Sequence, residues 1–314
     1  MPIQLKFRED GTFTIVQFTD IHWHNGEPED LKSRALMEQV VEKENPDLVA
    51  LTGDILSGGG CKEPRESFWQ VVEGFEARRL PWAAVFGNHD DEGSVSREGL
   101  MAVQTSCPMS LSQPGPADIS GVGNYTLRVK GAKHDKTTAA LYFIDSGSYA
   151  KTGIGGYDWI KRDQIEWYIS ESSALQAEAG HPLPALAFFH IPIPEYDEVW
   201  DFYTCYGVKY ENVCAPRVNT GFFAALHEMG DVMGTFVGHD HINDYWGNLH
   251  GIRLYYGRGT GYNTYGREGF LRGARVIQLR EGERSFDSWL HLADGSVITE
   301  QPEHSPIRRV LTQD

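Results

Sequence analysis

The sequence contains little cysteine, little positive charge and no long apolar run. Four cysteines in 314 residues are too few for a disulfide-stabilised scaffold. Cys205 and Cys214 could pair across a loop, but four reduced thiols fit a cytosolic chain better. No run approaches the roughly 18 apolar residues of a membrane span, and the first residues lack the apolar stretch of a signal peptide. We therefore expect a soluble, cytoplasmic protein.

Positive charge is outnumbered by negative charge along the whole chain. Lys and Arg number 28 and Asp and Glu number 44, so the formal net charge is −16. A chain this acidic repels polyphosphate backbones, which argues against a nucleic-acid track and against binding to anionic membranes. The composition is otherwise that of a globular protein, with 40% hydrophobic and 23% charged residues. Disorder, collagen and coiled coil are therefore excluded as descriptions of the whole chain.

Short apolar segments alternate with amphipathic segments. The pattern predicts strands at 12–18, 47–52, 82–86, 125–129, 139–145, 185–190, 232–237, 252–256 and 274–279. It predicts helices at 28–44, 65–79, 162–179 and 220–229. The alternation in the first half indicates an α/β fold with mostly parallel strands. The strand-rich second half suggests a second sheet.

The chain shows no linker that would divide it, so we expect a single domain over residues 1–314. Residues 104–123 form the longest irregular stretch and are predicted to be a surface loop. Residues 195–215 are rich in aromatic side chains. They form either a lid that stacks on a substrate leaving group or the packed core of an insertion.

Metal-ligand side chains lie at or just beyond the ends of five predicted strands. They are Asp20, His22, Asp54, Asn88, His190, His239 and His241. In open α/β sheets, the functional site lies outside the carboxyl ends of the strands. A lone histidine there is usually structural, and a lone Gly-Asp is usually a turn. Five such signals in order favour a metal site.

The number and spacing of these side chains favour two metal ions. Residues i and i+2 of an extended segment point the same way, so Asp20 and His22 can bind one ion, and His239 and His241 can reach the same site. Seven ligands exceed what one ion needs from a protein. Two ions about 3.5–4 Å apart that share a bridging carboxylate and activate a water would use all seven.

Five segments around these residues resemble the blocks of the calcineurin-like metallophosphoesterase superfamily. They are Asp20-x-His22, Gly53-Asp54, Gly87-Asn88-His89-Asp90, His190 and Gly238-His239-Asp240-His241. The resemblance spans residues 13–242. Residues 87–93, 257–266 and 272–279 are similar to the purple-acid-phosphatase-related phosphatases of plants and fungi. The resemblance implies a two-sheet sandwich flanked by helices, a four-layer α/β/β/α fold.

The resemblance also implies a role for each site residue. The first metal would be held by Asp20, His22 and His241, and the second by Asn88, His190 and His239. Asp54 would bridge the two ions. His89 would be no ligand, but would stabilise the transition state or protonate the leaving oxygen. The implied reaction is hydrolysis of a phosphate ester by attack of a metal-bridging hydroxide. Mn, Fe and Zn suit these ligands about equally.

Two positions depart from the true purple acid phosphatases. Those enzymes have a Tyr three residues after the bridging Asp, where this chain has Ser57, and they have no His in the first block, where this chain has His22. We therefore expect no Fe(III)–tyrosinate colour. The metals are expected to be two divalent ions, or a mixed pair without that chromophore.

Arg258 and His24 are the predicted substrate-binding residues. Residues 250–284 contain seven Arg, no Lys and three Glu, a local charge of 7 − 3 = +4. Arg258 lies in a Gly-rich loop, where a guanidinium could bind phosphate bidentately; alternatively these arginines pair with carboxylates. His24 either faces the substrate or faces solvent. Arg272 and Arg275 are expected to be structural.

The resulting prediction is a binuclear-metal phosphomonoesterase that acts on a phosphorylated small molecule or phosphoprotein. The enzymatic alternative is a phosphodiesterase acting on small nucleotide or lipid head-group diesters. The non-enzymatic alternative is a scaffold with the same fold. The scaffold alternative is disfavoured because the chain has all seven ligands together with His89.

Overall fold

Two mixed β-sheets, each covered by helices, make up the described part of the chain, residues 3–151 and 153–306 of a computed structural model. The strands are β1 (Leu5–Lys6), β2 (Thr12–Phe18), β3 (Leu48–Thr52), β4 (Trp82–Val85), β5 (Tyr125–Lys130), β6 (Thr137–Phe143), β7 (Ala185–Phe188), β8 (Cys205–Tyr206), β9 (Val232–Val237), β10 (Trp246–Leu249), β11 (Ile252–Tyr256), β12 (Gly273–Arg280), β13 (Phe286–Leu292), β14 (Val297–Ile298) and β15 (Glu303–His304). The α-helices are α1 (Pro28–Glu44), α2 (Pro64–Ala77), α3 (Arg97–Ser106), α4 (Arg162–Ala179), α5 (Glu195–Phe202) and α6 (Phe222–Met229), and Gly58–Gly60 form a short 3₁₀ turn.

The two sheets combine parallel and antiparallel pairs. The six-stranded sheet has the order β14-β13-β12-β2-β3-β4, and the nine-stranded sheet has the order β1-β5-β6-β7-β9-β11-β10-β8-β15. Strands β2, β3 and β4 are parallel, as are β6, β7, β9 and β11. The C-terminal strand β12 pairs antiparallel with β2. The prediction of mostly parallel strands therefore holds for these central strands, and the pair β1 and β5 is also parallel.

The core lies in three layers that alternate with the sheets. Between the sheets, Phe143 stacks on Phe188 and Phe188 on Phe236, with ring centroids 5.0 and 5.2 Å apart. These rings face buried apolar side chains of the other sheet, such as Phe13 and Ile15. Helices α1, α2 and α3 cover the outer face of the six-stranded sheet, and α4, α5 and α6 cover that of the nine-stranded sheet. The predicted four-layer sandwich is confirmed.

Helix α3 and strand β13 were not predicted. The sequence of α3 contains Gly99 and the β-branched Val103 and Thr105, which weaken helix propensity. Packing of Leu100 and Met101 against the sheet stabilises the helix instead. Helix α3 also occupies the start of the stretch 104–123 that was predicted to be a loop.

The aromatic stretch 195–215 begins as helix α5. Tyr196 and Val199 of this helix are fully buried in the core on the nine-stranded sheet, which favours the packing alternative for the helix, whereas Tyr210 further along the stretch is exposed. All four cysteines are free thiols. None of the described helices is long and apolar enough to cross a membrane. The prediction of one domain over residues 1–314 extends beyond the described residues and stays a prediction.

Candidate metal centre

The predicted ligands meet where strands of both sheets end at one edge of the sandwich. Four of them form one cluster, namely Asp20, His22, Asp54 and His241. Three form a second cluster, namely Asp54, His190 and His239. In each cluster, one possible ligand atom per residue lies within 4.8 Å of the others, and every member is buried. Asp54 belongs to both clusters.

Distances within the clusters centre on one oxygen, Oδ2 of Asp54. It lies 3.2 Å from Nε2 of His190 and 3.6 Å from Nε2 of His22. Nε2 of His22 lies 3.2 Å from Nε2 of His241, and Nδ1 of His239 lies 3.3 Å from Nε2 of His190. These nitrogens therefore point towards common centres rather than towards separate hydrogen-bond partners.

The backbone reaches this arrangement through left-handed turns. Asp20, His22, Asp54 and His239 have φ angles of 53°, 50°, 47° and 77°, in a region that non-glycine residues rarely adopt. The prediction that Asp20 and His22 share one site is supported by their positions. The reason given for this prediction, an extended backbone from Asp20 to His22, is wrong. Both residues have positive φ angles, and the two turns bring their side chains together.

Glycines next to the ligands allow the loops to approach each other closely. A Cβ on Gly53 would lie 2.5 Å from Nδ1 of His190, and Gly53 itself has a φ of +86°. A Cβ on Gly87 would lie 2.2 Å from Oδ1 of Asp54. Any side chain at either position would push the bridging Asp54 or His190 out of place.

Hydrogen bonds from outside the clusters fix how the imidazoles are turned. Nδ1 of His190 donates to the carbonyl oxygen of Thr52 at 2.8 Å, so Nε2 is the nitrogen that faces Asp54. Nδ1 of His22 lies 2.9 Å from the hydroxyl of Ser57. Such partners set the tautomer of a metal-binding histidine. In the sequence analysis, Ser57 was noted only because it replaces the Tyr of purple acid phosphatases. In the structure, its hydroxyl orients the imidazole of His22.

Thr264 orients the third imidazole, and no sequence signal marked it. Its hydroxyl lies 2.8 Å from Nδ1 of His241. The guanidinium of Arg272 in turn donates to the carbonyl oxygens of Thr264 and Tyr265, both at 2.8 Å. Arg272 therefore fixes the loop that positions His241, which agrees with the structural role predicted for it.

Burial keeps three of the imidazoles neutral. It lowers the pKa of His22 to about 4 and that of His239 to about 3, and it lowers the pKa of His241 well below its ordinary value. A neutral imidazole offers a lone pair to a cation.

The carboxylates and His190 favour positive charge at the same place. Burial opposes the ionisation of Asp54, but His190 and His22 outweigh it and hold the pKa of Asp54 well below its usual range. Burial also disfavours the charged form of His190, yet the attraction of Asp54 raises its pKa to about 9. Burial raises the pKa of Asp20 to about 7, so a nearby cation would stabilise the ionised form of this carboxylate.

Unsatisfied buried atoms show that the residues fit divalent metal ions. Oδ2 of Asp54 and Oδ1 of Asn88 are buried and have no hydrogen-bond partner among the described residues. Such orphaned groups are costly unless something else binds them. The amide of Asn88 donates through Nδ2 to the hydroxyl of Tyr149 at 3.0 Å, so its oxygen is the free atom. An amide oxygen and a carboxylate oxygen are suitable ligands for such ions.

His89 lies beside the clusters and is connected to a carboxylate that the sequence analysis missed. Its ring centroid is 5.2 Å from that of His22, and about a third of its side chain, 35%, is exposed. Nδ1 of His89 lies 2.7 Å from Oε2 of Glu92, and the hydroxyl of Tyr149 donates to Oε1 of Glu92 at 2.9 Å. Burial opposes protonation of His89, but Asp54 and Glu92 outweigh it and raise its pKa above the ordinary value.

The position of Glu92, three residues after His89, is the one signal that could have pointed to this contact. Tyr149 gave no such signal, because it is 60 residues further along the chain. Asp90 and Asp240, which are sequence neighbours of His89 and of His239 and His241, bind groups other than the imidazoles. Asp90 accepts from the backbone N–H groups of Leu56 and Gly87, and Asp240 accepts from the hydroxyl of Tyr256 and the N–H of Cys214.

The structure does not support the two predicted substrate-binding residues. Arg258 is 5% exposed, and its guanidinium pairs with the carboxylate of Asp244, donates to the carbonyl oxygen of Leu271 and lies over the ring of Phe270. The guanidinium of Arg258 is therefore part of the packed interior, where it neutralises the buried carboxylate of Asp244. Nδ1 of His24 lies 3.4 Å from Oε2 of Glu27, which favours the solvent-side alternative.

Comparison with known proteins agrees with this geometry. Residues 13–243 match the family model described as calcineurin-like phosphoesterase. The chain is 36% identical to "Probable inactive purple acid phosphatase 29" of Arabidopsis thaliana, over 95% of this chain and 87% of that protein. It is 33% identical to "Phosphatase DCR2" of Saccharomyces cerevisiae, over 92% of this chain and 55% of that protein.

The fold is also that of a solved dimetal phosphatase from Danio rerio. The TM-score is 0.57 at 14% identity, over 88% of this chain and 98% of that one. The family uses divalent metal ions, and the clustered ligand residues of this chain fit such ions. The chain therefore belongs to the calcineurin-like phosphoesterase family.

Proposed function

We propose that the chain is a phosphomonoesterase whose site holds two divalent metal ions. The observation that carries this proposal is the pair of ligand clusters that share the unpartnered Oδ2 of Asp54. Asp20, His22 and His241 would hold one ion with Asp54. Asn88, His190 and His239 would hold the other. The ligand types suit Mn, Fe or Zn.

Paired divalent ions, when bound, neutralise charge on phosphoryl oxygens and make water nucleophilic near neutral pH. The residues of the chain supply the remaining requirements. Burial of Asp20, Asp54 and the imidazoles excludes bulk water from the ligands. His89 is the exposed titratable group beside them. Glu92 binds its Nδ1, so Nε2 is the nitrogen that faces the leaving group and donates a proton to the departing oxygen.

Hydrolysis of monoesters rather than diesters is proposed from the relatives. The Saccharomyces protein is named a phosphatase, and the Arabidopsis protein is named after purple acid phosphatases. Arg258 no longer supports this preference, because Asp244 already pairs with its charge. The Arabidopsis name also includes the word "inactive". Against inactivity in this chain stand the six clustered ligands, the unpartnered amide oxygen of Asn88 and the exposed, carboxylate-bound His89.

The test compares p-nitrophenyl phosphate with bis-p-nitrophenyl phosphate after loading with Mn, Fe or Zn. We expect the monoester to be hydrolysed faster, and Asp54→Asn to abolish the activity. Asp135→Asn is the matched control, because its side chain is 84% exposed. Faster hydrolysis of the diester would establish the phosphodiesterase alternative. If protein with two bound ions hydrolyses neither ester, the chain is the non-enzymatic scaffold of the second alternative.

A further inference from the structure

Two exposed tyrosines bracket a row of imidazoles at the metal centre. The ring of Tyr149 lies 6.3 Å from that of His89, and the ring of His89 lies 5.2 Å from that of His22. The ring of His22 lies 4.8 Å from that of His241, and Tyr265 lies 4.2 Å beyond His241. The tyrosines are therefore at the two ends of one continuous row that includes two metal ligands and His89.

Both tyrosines expose much of their surface, although their positions are fixed. Tyr149 is 42% exposed and Tyr265 is 52% exposed. The hydroxyl of Tyr149 donates to Glu92 at 2.9 Å, and the hydroxyl of Tyr265 donates to Oε2 of Glu211 at 2.8 Å. The ring of Tyr265 also lies nearly parallel to that of His241, at 19°. Because the hydroxyl and the ring of each tyrosine are already held by contacts, the tyrosine loses little further conformational freedom when a ligand stacks on it.

The packing around Tyr149 continues this aromatic surface. Its ring stacks on that of Tyr157 at 5.7 Å and 28°. Tyr157 in turn meets His239 edge-on at 4.2 Å. The aromatic wall on this side therefore extends along the second ligand cluster, whereas Tyr265 forms the wall beside the first cluster.

The charges next to these rings limit what can stack on them. Glu92 and Glu211 bind the hydroxyls of the two tyrosines, so a carboxylate lies beside each wall. These carboxylates repel a leaving group that carries further negative charge, such as the rest of a nucleoside polyphosphate. Planar, uncharged groups are compatible with both the rings and the carboxylates.

We propose that Tyr149 and Tyr265 form a stacking site for the leaving group, so that the preferred substrates are phosphate monoesters of planar, uncharged aromatic alcohols. This inference rests on the proposed phosphomonoesterase function and adds its substrate class. Aromatic pairs in offset or edge-on geometry are worth a factor of roughly two to ten in an equilibrium constant. A preference of that size is therefore expected.

The test compares benzyl phosphate with cyclohexylmethyl phosphate on metal-loaded protein. Both esters release a primary alcohol, so they differ mainly in whether the ring is planar. We expect kcat/KM to favour benzyl phosphate about fivefold in the unchanged protein. Tyr149→Leu and Tyr265→Leu should each lower this ratio, the double variant should bring it close to one, and Tyr265→Phe should keep it. Trp69→Leu is the matched control, because Trp69 is a 38% exposed aromatic residue on α2.

A binding measurement separates this inference from the proposed function. Calorimetric dissociation constants for benzylphosphonate and cyclohexylmethylphosphonate should show the same preference and its loss in the double variant with leucine at 149 and 265. Equal affinities, or a preference that survives in the double variant with both ions bound, would overturn the stacking site while hydrolysis remains. If neither ester is hydrolysed, the phosphomonoesterase function is overturned, and the phosphonate affinities alone then decide whether the rings bind a planar group.

Discussion

Removal of Glu92 should slow the protonation of the leaving group without removing metal. Oε2 of Glu92 lies 2.7 Å from Nδ1 of His89, and both side chains are 35% exposed. A hydrogen bond to a charged partner contributes about 1.5–3 kcal/mol when it is buried. Exposure to solvent weakens it, so we take about 1.5 kcal/mol, which corresponds to roughly tenfold in rate. Glu92→Ala should therefore lower kcat about tenfold for alkyl phosphates.

The assay measures kcat for alkyl phosphates and for p-nitrophenyl phosphate, together with metal content by elemental analysis. The loss should be smaller for p-nitrophenyl phosphate, because nitrophenolate leaves without a proton. Glu92→Gln should restore part of the rate, since an amide oxygen can still accept from Nδ1 of His89. Glu66→Ala, which removes an exposed carboxylate from α2, controls for the change in net charge.

A double-mutant cycle provides the decisive comparison. His89→Ala should lower kcat by about 10²–10⁴, the usual contribution of a positioned acid. If Glu92 acts only through His89, Glu92→Ala should cost nothing further in the His89→Ala background. Full additivity of the two losses, or an equal loss for alkyl and nitrophenyl esters, would refute the role assigned to Glu92.

Three further predictions concern metal content, colour and stability. Asp54→Ala should lose both ions more completely than His241→Ala in elemental analysis, because Asp54 belongs to both clusters; one ion at saturation would contradict the binuclear proposal. Iron-loaded, oxidised protein should lack a visible tyrosinate band, since Ser57 stands where purple enzymes have Tyr, and a purple sample would contradict this. Arg258→Ala should lower the free energy of unfolding in urea by about 3 kcal/mol or more, because Asp244 is left buried without its cation. It should leave KM within about twofold, and a tenfold rise in KM at unchanged stability would restore Arg258 as a phosphate ligand.

The sequence predicted the ligand positions because their signals are local. Each lies within a few residues of the end of an apolar strand, and the bounds of β2, β9 and α1 agree with the structure. The parallel strands β2, β3 and β4 then place their carboxyl ends side by side. Hydrophobic periodicity therefore predicted both the strand ends and the edge at which they meet.

Contacts between distant residues could not be predicted in this way. Asn88 and Tyr149 are 61 residues apart, and Ser57 and His22 are 35 apart. Arg258 illustrates the error that results, because its Gly-rich loop resembled a phosphate-binding site. Only the tertiary structure shows that Asp244 lies against the guanidinium and that little of the side chain reaches solvent.

The backbone at the ligands gives a physical argument against the scaffold alternative. Asp20, His22, Asp54 and His239 all adopt positive φ angles, at about 1–2 kcal/mol each relative to glycine. Oδ2 of Asp54 is also buried without a hydrogen-bond partner among the described residues, which further reduces stability. A chain that needed only its folded surface would be more stable with glycine at these turns. Side chains that destabilise the fold at three separate loops, and converge on two clusters, are explained by the cations that we propose they bind.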